Sequence, residues 1–362
     1  MLNIMIRVAI NGYGRIGRVA HRVILQKFGH EIEVVGINAG SSSDLEGWMY
    51  LLKYDSVYRE LSNRFEVKSP EEMSHGLETK AGFLGTLLID DQKIPIFSEK
   101  DSTLYPWREL NVDVVIESTG VFTTEEKMQL HLDAGARAAI LSAPFKGESG
   151  PTKVIGVNIT EENKGEFTPI VSNASCTTNC ITPVAQVIQA VFGVEKAMMS
   201  TIHGYTSDQR LQDGGHDDYR RARAAALNII PTSTGAAKAA HLVVPELKGI
   251  FEGVAFRVPV PVGSLSDFTF VLKRDVTIDE VNTALEEASK NPRYHGILAV
   301  TRDPVVSSDI IGKSFSSLVD LSLTQVVGGN LVKVVAWYDN EFGYASRLVE
   351  QTVQIGRNIQ GR

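Results

Sequence analysis

The sequence contains few cysteines, no long apolar run and no excess of positive charge over its 362 residues. Its two cysteines, Cys176 and Cys180, are too few for a disulfide framework or for the four ligands of a structural zinc ion. We therefore expect no metal. No stretch approaches the roughly 20 consecutive apolar residues that cross a bilayer, and the N-terminus lacks the pattern of a signal peptide.

The charge balance is acidic, with a formal net charge of −7 at pH 7. Nucleic acids and anionic membranes attract clustered basic side chains, so we expect neither as a partner. A chain with so little cysteine fits the reducing cytoplasm. A hydrophobic content of 43% is typical of a globular protein that buries a sizeable core.

Short β-branched runs alternate with helical stretches in the first third of the chain, which predicts a parallel sheet covered by helices. The predicted strands are residues 6–10, 33–37, 112–116 and 138–141, and the first predicted helix is 15–28. After about residue 194 the strands lengthen and helices become fewer, which favours a mainly antiparallel sheet. These later strands are residues 196–202, 253–260, 266–272 and 331–338.

The predicted fold class is therefore α/β, with two domains. Residues 1–175 form a Rossmann-type dinucleotide-binding domain, and residues 176–342 form an α+β catalytic domain. We expect a C-terminal helix, 343–362, to dock on the first domain. Residues 204–224 read as a long polar loop, of a length that is usually functional or disordered. Residues 60–82 read as a polar surface excursion to which we assign no role.

Three glycines with the spacing GxGxxG, Gly12, Gly14 and Gly17, lie between the first strand and the first helix. Such glycines permit a tight turn, close approach of the backbone to a pyrophosphate, and close packing of helix on strand. The helix that begins at Arg15 and Ile16 offers free N–H groups to the phosphates. Ligands of parallel sheets bind beyond the carboxyl ends of the strands. Candidate residues there are Ser118, Thr119, Gly120 and Ser142.

The second predicted strand lacks the carboxylate that usually binds the ribose 2′-hydroxyl of NAD. It ends in Asn38 and Ala39, and no carboxylate precedes Asp44. One interpretation is that NADP is tolerated or preferred, because a carboxylate would repel a 2′-phosphate. Another is that Asp44 folds back, or that NAD binds without this contact. The turn also contains no arginine to pair with a 2′-phosphate.

Cys176 is the candidate nucleophile, because Ser175 and Thr177 beside it are good helix N-cap residues before an apolar run. A thiol in a first helical turn has its pKa lowered by the helix dipole. The alternative is a buried structural cysteine, which suits Cys180 better. The candidate base is His203, which follows a predicted strand, although any histidine can be structural.

Six segments, residues 11–18, 172–180, 201–206, 221–238, 256–259 and 337–344, together resemble the glyceraldehyde-3-phosphate dehydrogenase family. The resemblance runs from about residue 7 to the C-terminal helix. It implies that Cys176 attacks the aldehyde of glyceraldehyde 3-phosphate while His203 takes the proton. It further implies that a hydride passes to the nicotinamide and that inorganic phosphate attacks the resulting thioester.

The resemblance also implies two anion sites and a nicotinamide contact. Thr206 and Arg257 are similar to residues that hold the phosphate of the substrate, and Arg221 is similar to an arginine placed between the two sites. The site for the attacking phosphate would comprise Ser175, Thr177, Thr234 and Gly235. The nicotinamide carboxamide would be held by Asn340, with Tyr344 packed beside it. The loop 204–224 resembles one that reaches a neighbouring subunit, which predicts a homotetramer.

Two departures from the family pattern bear on the cofactor. Members specific for NAD carry Asn-Asp where this chain has Asn38 and Ala39, and Leu-Pro where it has Gly214 and Gly215. Both changes remove features associated with excluding a 2′-phosphate, so NADP is favoured, alone or beside NAD.

Two rival functions remain. An erythrose-4-phosphate dehydrogenase would share the scaffold but hydrolyse the thioester with water. The retained phosphate-binding candidates favour phosphate over water; they are Ser175, Thr177, Thr234 and Arg221. A non-catalytic binding protein on the same fold would be expected to lose Cys176 or His203, and both are present.

The first prediction concerns the turn after the second strand. Restoring a carboxylate with Ala39→Asp should shift preference towards NAD, because the carboxylate accepts hydrogen bonds from a 2′-hydroxyl and repels a 2′-phosphate. The measurement is the ratio of kcat/KM for NAD to that for NADP. An unchanged ratio would count against this account of the turn.

Overall fold

The computed structural model describes residues 5–40, 42–148, 150–160, 163 and 166–361. By the contacts between its residues the chain divides into two compact units. The first comprises Met1–Lys153, Glu162–Ala174 and Ala345–Arg362, and the second comprises Val154–Glu161 and Ser175–Tyr344. No helix in this described part of the chain is long and apolar enough to cross a membrane.

The first unit is built on a sheet of eight strands. They are β1 (Ile6–Asn11), β2 (Ile32–Asn38), β3 (Phe65–Lys68), β4 (Phe83–Ile89), β5 (Gln92–Phe97), β6 (Val114–Glu117), β7 (Ala138–Leu141) and β8 (Ile170–Ser172). Their spatial order is β3-β4-β5-β2-β1-β6-β7-β8. Neighbours from β5 to β8 in this order are parallel, whereas β4 is antiparallel to both β3 and β5. The predicted Rossmann-type sheet is confirmed.

The helices of this unit follow the parallel strands. They are α1 (Arg15–Val23), which a π-helical segment (Ile24–Phe28) continues, α2 (Leu45–Lys53) and α3 (Glu125–Asp133). Every residue of β6 and β7 is buried, and such strands are apolar almost throughout because helices cover both faces of a parallel sheet.

The excursion at residues 60–82 contains a strand that the sequence analysis did not identify. This strand, β3, pairs antiparallel with β4 at the edge of the sheet. Its four residues, Phe-Glu-Val-Lys, alternate apolar and polar side chains, but all of them are half-buried or exposed. Four residues are the lower limit of a period-2 signal, and pairing with β4 identifies the strand.

The second unit contains a second sheet. Its strands are β9 (Val194–Gly204), β10 (Ile230–Ser233), β11 (Phe251–Val258), β12 (Ser264–Leu272), β13 (Leu298–Thr301), β14 (Ser317–Asp320), β15 (Gln325–Val327) and β16 (Leu331–Tyr338). The order is β10-β11-β9-β12-β16-β14-β13, with β15 beside β16. The pairs β9–β11 and β13–β14 are parallel and the others are antiparallel, so the sheet is mixed but mainly antiparallel, as predicted.

In its described residues this unit contains three α-helices, and a fourth begins in it. They are α4 (Cys176–Phe192), α5 (Ala236–Ala240), α6 (Ile278–Lys290) and α7 (Phe342–Ile359), and α7 continues into the first unit. Ser175 is the N-cap of α4, and its hydroxyl accepts a hydrogen bond from Thr178 N at 3.0 Å. This cap places Cys176 at the first helical position, as the sequence predicts. The long loop before β10 contains neither helix nor strand.

The second prediction compares two glycines of the first turn. A Cβ on Gly17 would lie 2.2 Å from the carbonyl oxygen of Gly12, whereas a Cβ on Gly14 would meet nothing within 4 Å. Gly17→Ala should therefore lower the free energy of unfolding by about 1–3 kcal/mol, as overpacking does. Gly14→Ala is the matched control and should leave it nearly unchanged. Equal denaturation midpoints for the two variants would contradict this packing account.

Candidate active site

The glycine-rich turn of the first unit is packed tightly on one side and open on the other. Gly12 has a φ of +91°, and a Cβ there would lie 2.5 Å from Thr119 N. Ser118 Oγ donates to Gly12 O at 2.6 Å, which joins this turn to the end of β6. Gly14 is exposed and caps α1 without any side-chain hydrogen bond. No side chain caps the N-terminus of α1, and the space beside Gly14 is open, which is the environment that favours an anion at a helix N-terminus.

Arg15 and Ile16 follow Gly14, and both side chains are half-buried. The guanidinium of Arg15 binds Asp55 and lies 5.3 Å from the centre of the Tyr58 ring. Its charge is therefore engaged inside the first unit. Contacts from these two residues to a pyrophosphate would come from their backbone N–H groups.

The end of β2 carries no free carboxylate. Asn38 Nδ2 donates to Asn11 Oδ1 at 2.7 Å and to Glu99 O at 2.9 Å, so both of its N–H bonds are used within the unit. Ala39 is 8% exposed. Asp44 accepts from Gly47 N at 2.8 Å and caps α2, so it does not fold back towards the strand end.

The remaining candidates of this unit lie at the carboxyl ends of β6 and β7. Ser118, Thr119 and Ser142 are half-buried, and Gly120 is exposed. Thr119 N donates to a carboxylate oxygen of Glu117 at 2.7 Å. Glu117 was not identified from the sequence, and the sequence gives no sign of its burial.

The thiol of the second unit lies beside an imidazole. Cys176 Sγ is 3.4 Å from His203 Nε2, although the two residues lie 27 positions apart in the chain. The Cys176 side chain is half-buried, and Cys180, one turn further along α4, is fully buried. Cys180 Sγ lies 3.9 Å from Ala336 O, which fits the structural role expected for this residue.

Burial raises the pKa of the Cys176 thiol, and the positive charge of Arg257 and a hydrogen bond with Thr177 oppose this effect. The sequence-based expectation of a lowered pKa was wrong in its net direction because it considered the helix N-terminus and left burial out. A thiol of this kind depends on a nearby base to lose its proton.

His203 is held as a neutral imidazole. It is 3% exposed, and burial together with the charge of Arg257 lowers its pKa to about 3. Nδ1 lies 2.7 Å from Gly204 O, which can only accept, and 2.7 Å from Arg257 Nη1, which can only donate, so these two contacts do not assign the tautomer. In the tautomer with the proton on Nδ1, the lone pair of Nε2 is directed at the Cys176 thiol. Arg257 Nη1 also lies 3.1 Å from Gly204 O.

Tyr338 is a site residue that the sequence analysis missed. Its hydroxyl lies 3.0 Å from Thr177 Oγ1 and 2.8 Å from Thr201 Oγ1, and its ring meets His203 edge-on. Burial raises its pKa well above the usual range, so the hydroxyl stays protonated. Tyr338 belongs to β16 and Thr201 to β9, two strands separated by β12, and no local pattern predicts their contact.

Two of the anion-binding candidates, Arg221 and Thr234, already make hydrogen bonds within the second unit. Arg221 donates from Nε to Thr232 Oγ1 at 2.9 Å and from Nη1 to Asp208 Oδ2 at 2.8 Å. Thr234 Oγ1 accepts from Ala236 N at 3.2 Å. The positions of Thr206, Thr234 and Gly235 are half-buried or exposed, within reach of solvent anions.

Asn340 is 5% exposed and is oriented by a serine that the sequence analysis also missed. Its Oδ1 accepts from Ser264 Oγ at 2.8 Å, and Ser264 Oγ accepts from Gly204 N at 3.1 Å. This chain of bonds fixes the amide of Asn340 relative to the loop that follows His203. Tyr344, at the start of α7, is 4% exposed.

Metal ligation is not evident in the described residues, which contain no group of three or more His, Cys, Asp or Glu side chains able to hold an ion. The second unit contains a thiol, a neutral imidazole and two arginines, and the first unit contains a Rossmann-type sheet of the kind that binds nucleotides. This combination defines a dehydrogenase that works through a covalent thiol intermediate.

Comparison with known proteins identifies the family. Residues 6–125 match the model for the NAD binding domain of glyceraldehyde 3-phosphate dehydrogenase, and residues 175–340 match the model for its C-terminal domain. The chain is 48% identical over 346 residues to glyceraldehyde-3-phosphate dehydrogenase of Thermotoga maritima, which covers 96% of this chain and 98% of that protein. It is 45% identical over 354 residues to glyceraldehyde-3-phosphate dehydrogenase 2 of Streptomyces avermitilis, covering 98% and 99%. The chain belongs to the glyceraldehyde-3-phosphate dehydrogenase family.

The third prediction tests the role of His203 through the reactivity of Cys176. A neutral imidazole accepts the thiol proton, whereas without it the thiol ionises only at its own raised pKa. His203→Asn should therefore move the pH profile of alkylation by iodoacetamide to higher pH and slow alkylation at pH 7 by about tenfold or more. Peptide mapping should find the label on Cys176 and not on the buried Cys180. Coincident profiles for wild type and variant would rule out this pairing.

Proposed function

We propose that this protein oxidises glyceraldehyde 3-phosphate with inorganic phosphate to an acyl phosphate, or catalyses the reverse reduction. The observation that carries the proposal is the 3.4 Å approach of Cys176 Sγ to His203 Nε2 at the N-terminus of α4. Membership of the family supplies the substrate class, since the relatives compared above carry this activity in their names.

Cys176 Sγ forms a bond to the aldehyde carbon while the thiol proton passes to His203 Nε2 and from there to the former carbonyl oxygen, which yields a thiohemiacetal and restores the neutral imidazole. Loss of a hydride and of the hydroxyl proton converts it to a thioester, and His203 is the residue positioned to take that proton. An oxygen of inorganic phosphate then attacks the thioester carbon. The carbon–sulfur bond breaks, the acyl phosphate leaves, and Cys176 returns.

NAD(P) supplies the hydride acceptor in this reaction. The residues proposed to hold it are those of the glycine-rich turn, the ends of β2, β6 and β7, and Asn340 with Tyr344. The support for this fit is the open space at Gly14 beside the uncapped N-terminus of α1. The oriented amide of Asn340 is suited to a carboxamide, because Ser264 fixes its oxygen and leaves its N–H bonds as donors.

Arg257 and Thr206 are proposed to bind the phosphate of the substrate, and Arg221 to bind between the two anion sites. Arg257 lies against His203, so a phosphate there would bring the aldehyde close to the thiol. The attacking phosphate would be bound by Ser175, Thr177, Thr234 and Gly235. An arginine already held by hydrogen bonds, as Arg221 is by Thr232, loses little side-chain entropy when it binds an anion.

NADP is proposed as the favoured cofactor, alone or beside NAD. Ala39 offers no carboxylate to repel a 2′-phosphate, and the nearest one along the chain, that of Asp44, caps α2. Gly214 and Gly215 offer no bulk in the long loop, and a Cβ on Gly215 would meet nothing within 4 Å.

A homotetramer is the proposed assembly, and an apolar row across the second sheet supports self-association. The row crosses five neighbouring strands in register and consists of Phe256, Ile202, Leu265, Trp337 and Leu318, all half-buried. Loop residues after β9 add exposed apolar side chains, including Leu211, Tyr219 and Leu227 at 80%, 87% and 82% exposure. Contiguous apolar surface of this kind marks protein–protein contact.

We also propose that the protein is located in the cytoplasm and that its two domains comprise residues 1–175 and 176–342.

The fourth prediction separates this activity from its closest rival. Initial rates with glyceraldehyde 3-phosphate should exceed those with erythrose 4-phosphate, and turnover should require inorganic phosphate, because phosphate and not water attacks the thioester. The measurement crosses both substrates with NAD and NADP, with and without phosphate. Phosphate-independent turnover would refute the acyl-phosphate route, and absence of turnover with every pair would favour a binding protein.

A further inference from the structure

A buried row of polar side chains lies beneath the glycine-rich turn. Asn38, Asn11 and Glu117 stand opposite each other in register at the carboxyl ends of β2, β1 and β6. They are 1%, 0% and 0% exposed. A carboxylate buried to this degree is costly unless hydrogen bonds replace its hydration, so its partners define what it does.

Four donors converge on the carboxylate of Glu117. Its Oε2 accepts from Asn11 Nδ2 at 2.6 Å and lies 2.9 Å from His131 Nε2. Its Oε1 accepts from Thr119 N at 2.7 Å and from the Thr119 hydroxyl. A carboxylate has two lone pairs on each oxygen, so this set of donors fills it. Each donor other than His131 belongs to a segment proposed to bind the dinucleotide or adjoins one.

His131 is locked in one tautomer. Trp107 Nε1 lies 3.2 Å from His131 Nδ1, and an indole nitrogen can only donate. Nδ1 must therefore accept, which leaves the imidazole proton on Nε2, where it donates to Glu117. Both His131 and Trp107 are fully buried, and the rings of Tyr105 and Phe122 lie 5.8 Å and 5.0 Å from the imidazole. The ring cannot turn without displacing these neighbours.

The hydrogen bonds of Glu117 also hold the glycine-rich turn in place. Gly12 packs directly on the backbone at Thr119, and Glu117 fixes that backbone through Thr119 N. Asn11, which precedes Gly12, is fixed by Glu117 from one side and by Asn38 from the other. The buried carboxylate of Glu117 therefore holds both turns that are proposed to approach the pyrophosphate and the ribose.

We propose that Glu117 and His131 are positioning residues of the dinucleotide site, which act through Thr119 and Asn11 and touch no reactant. The proposal rests on the dinucleotide site proposed above. Glu117 pre-orders the turns, so its effect lies in the affinity for the dinucleotide and not in the chemistry at Cys176. If Glu117 served only the stability of the fold, its substitution would not lower the affinity for the dinucleotide selectively while leaving the chemistry at Cys176 unchanged.

The fifth prediction uses Glu117→Gln. An amide accepts on one atom only, so two of the four donors would confront its N–H groups. The dissociation constants for NAD and NADP should rise by about tenfold or more, because hydrogen bonds to charged groups are among the stronger ones. KM for the dinucleotide should rise in parallel, while kcat at saturation changes by less than about threefold, as expected for a loss of binding energy common to ground and transition states.

Two controls separate positioning from stability. Val115→Ala truncates a fully buried side chain two positions earlier on β6, and it should lower the melting temperature without changing either dissociation constant. His131→Leu should weaken dinucleotide binding, whereas His131→Gln should restore most of it, because the glutamine amide nitrogen lies about as far from the backbone as Nε2 and can donate to Glu117.

The measurements are calorimetric titrations of each folded variant with NAD and with NADP, thermal unfolding, and steady-state kinetics. If Glu117→Gln binds both dinucleotides as tightly as wild type, or if Val115→Ala weakens binding equally at equal destabilisation, the positioning role is overturned. Wild-type protein that binds neither dinucleotide would instead overturn the proposed cofactor site on which the inference rests.

Discussion

The structure depends on one constraint, which is that polar and ionisable side chains buried at the ends of strands must find hydrogen-bond partners. Each unit places such groups at the carboxyl ends of its strands, Glu117 with Asn11 in the first and Tyr338 with Thr201 in the second. A buried group without a partner costs on the order of 1–3 kcal/mol, so these groups hold their neighbours in one arrangement. Fixed geometry at both sites is the result of that cost.

The same burial shapes the chemistry of the thiol. It lowers the pKa of His203 and raises that of Cys176, so at neutral pH the free site holds a neutral base beside a protonated thiol. Arg257 reinforces the first effect and opposes the second, because its positive charge disfavours an imidazolium and favours a thiolate. Proton transfer between the pair is then coupled to attack on the aldehyde and does not need to precede it.

Features with a local signal were predictable from the sequence. The glycine spacing located the tight turn between β1 and α1, N-cap chemistry at Ser175 placed Cys176 at the start of a helix, and residue periodicity indicated the α/β class. The strand at the edge of the first sheet, β3, was missed because its alternation of apolar and polar side chains extends over only four residues. Glu117, Ser264 and Tyr338 were missed because their partners are distant in sequence. Asn11 and Glu117, for example, are 106 positions apart, and Tyr338 and Thr177 are 161 apart.

The proposed preference for NADP depends on how the end of β2 is held. The side-chain amide of Asn38 donates one hydrogen bond to Asn11 Oδ1 and one to the carbonyl of Glu99, so it has no donor left for a ribose. The backbone at Gly40 is held as well, because its carbonyl accepts from Ser98 Oγ at 2.7 Å. Both flanking residues are held by the segment after β5, so in the proposed site the side chain of residue 39 is left to discriminate between a 2′-hydroxyl and a 2′-phosphate. A methyl group there neither accepts from the hydroxyl nor repels the phosphate, so the rigidity of this strand end leaves the larger ligand admissible.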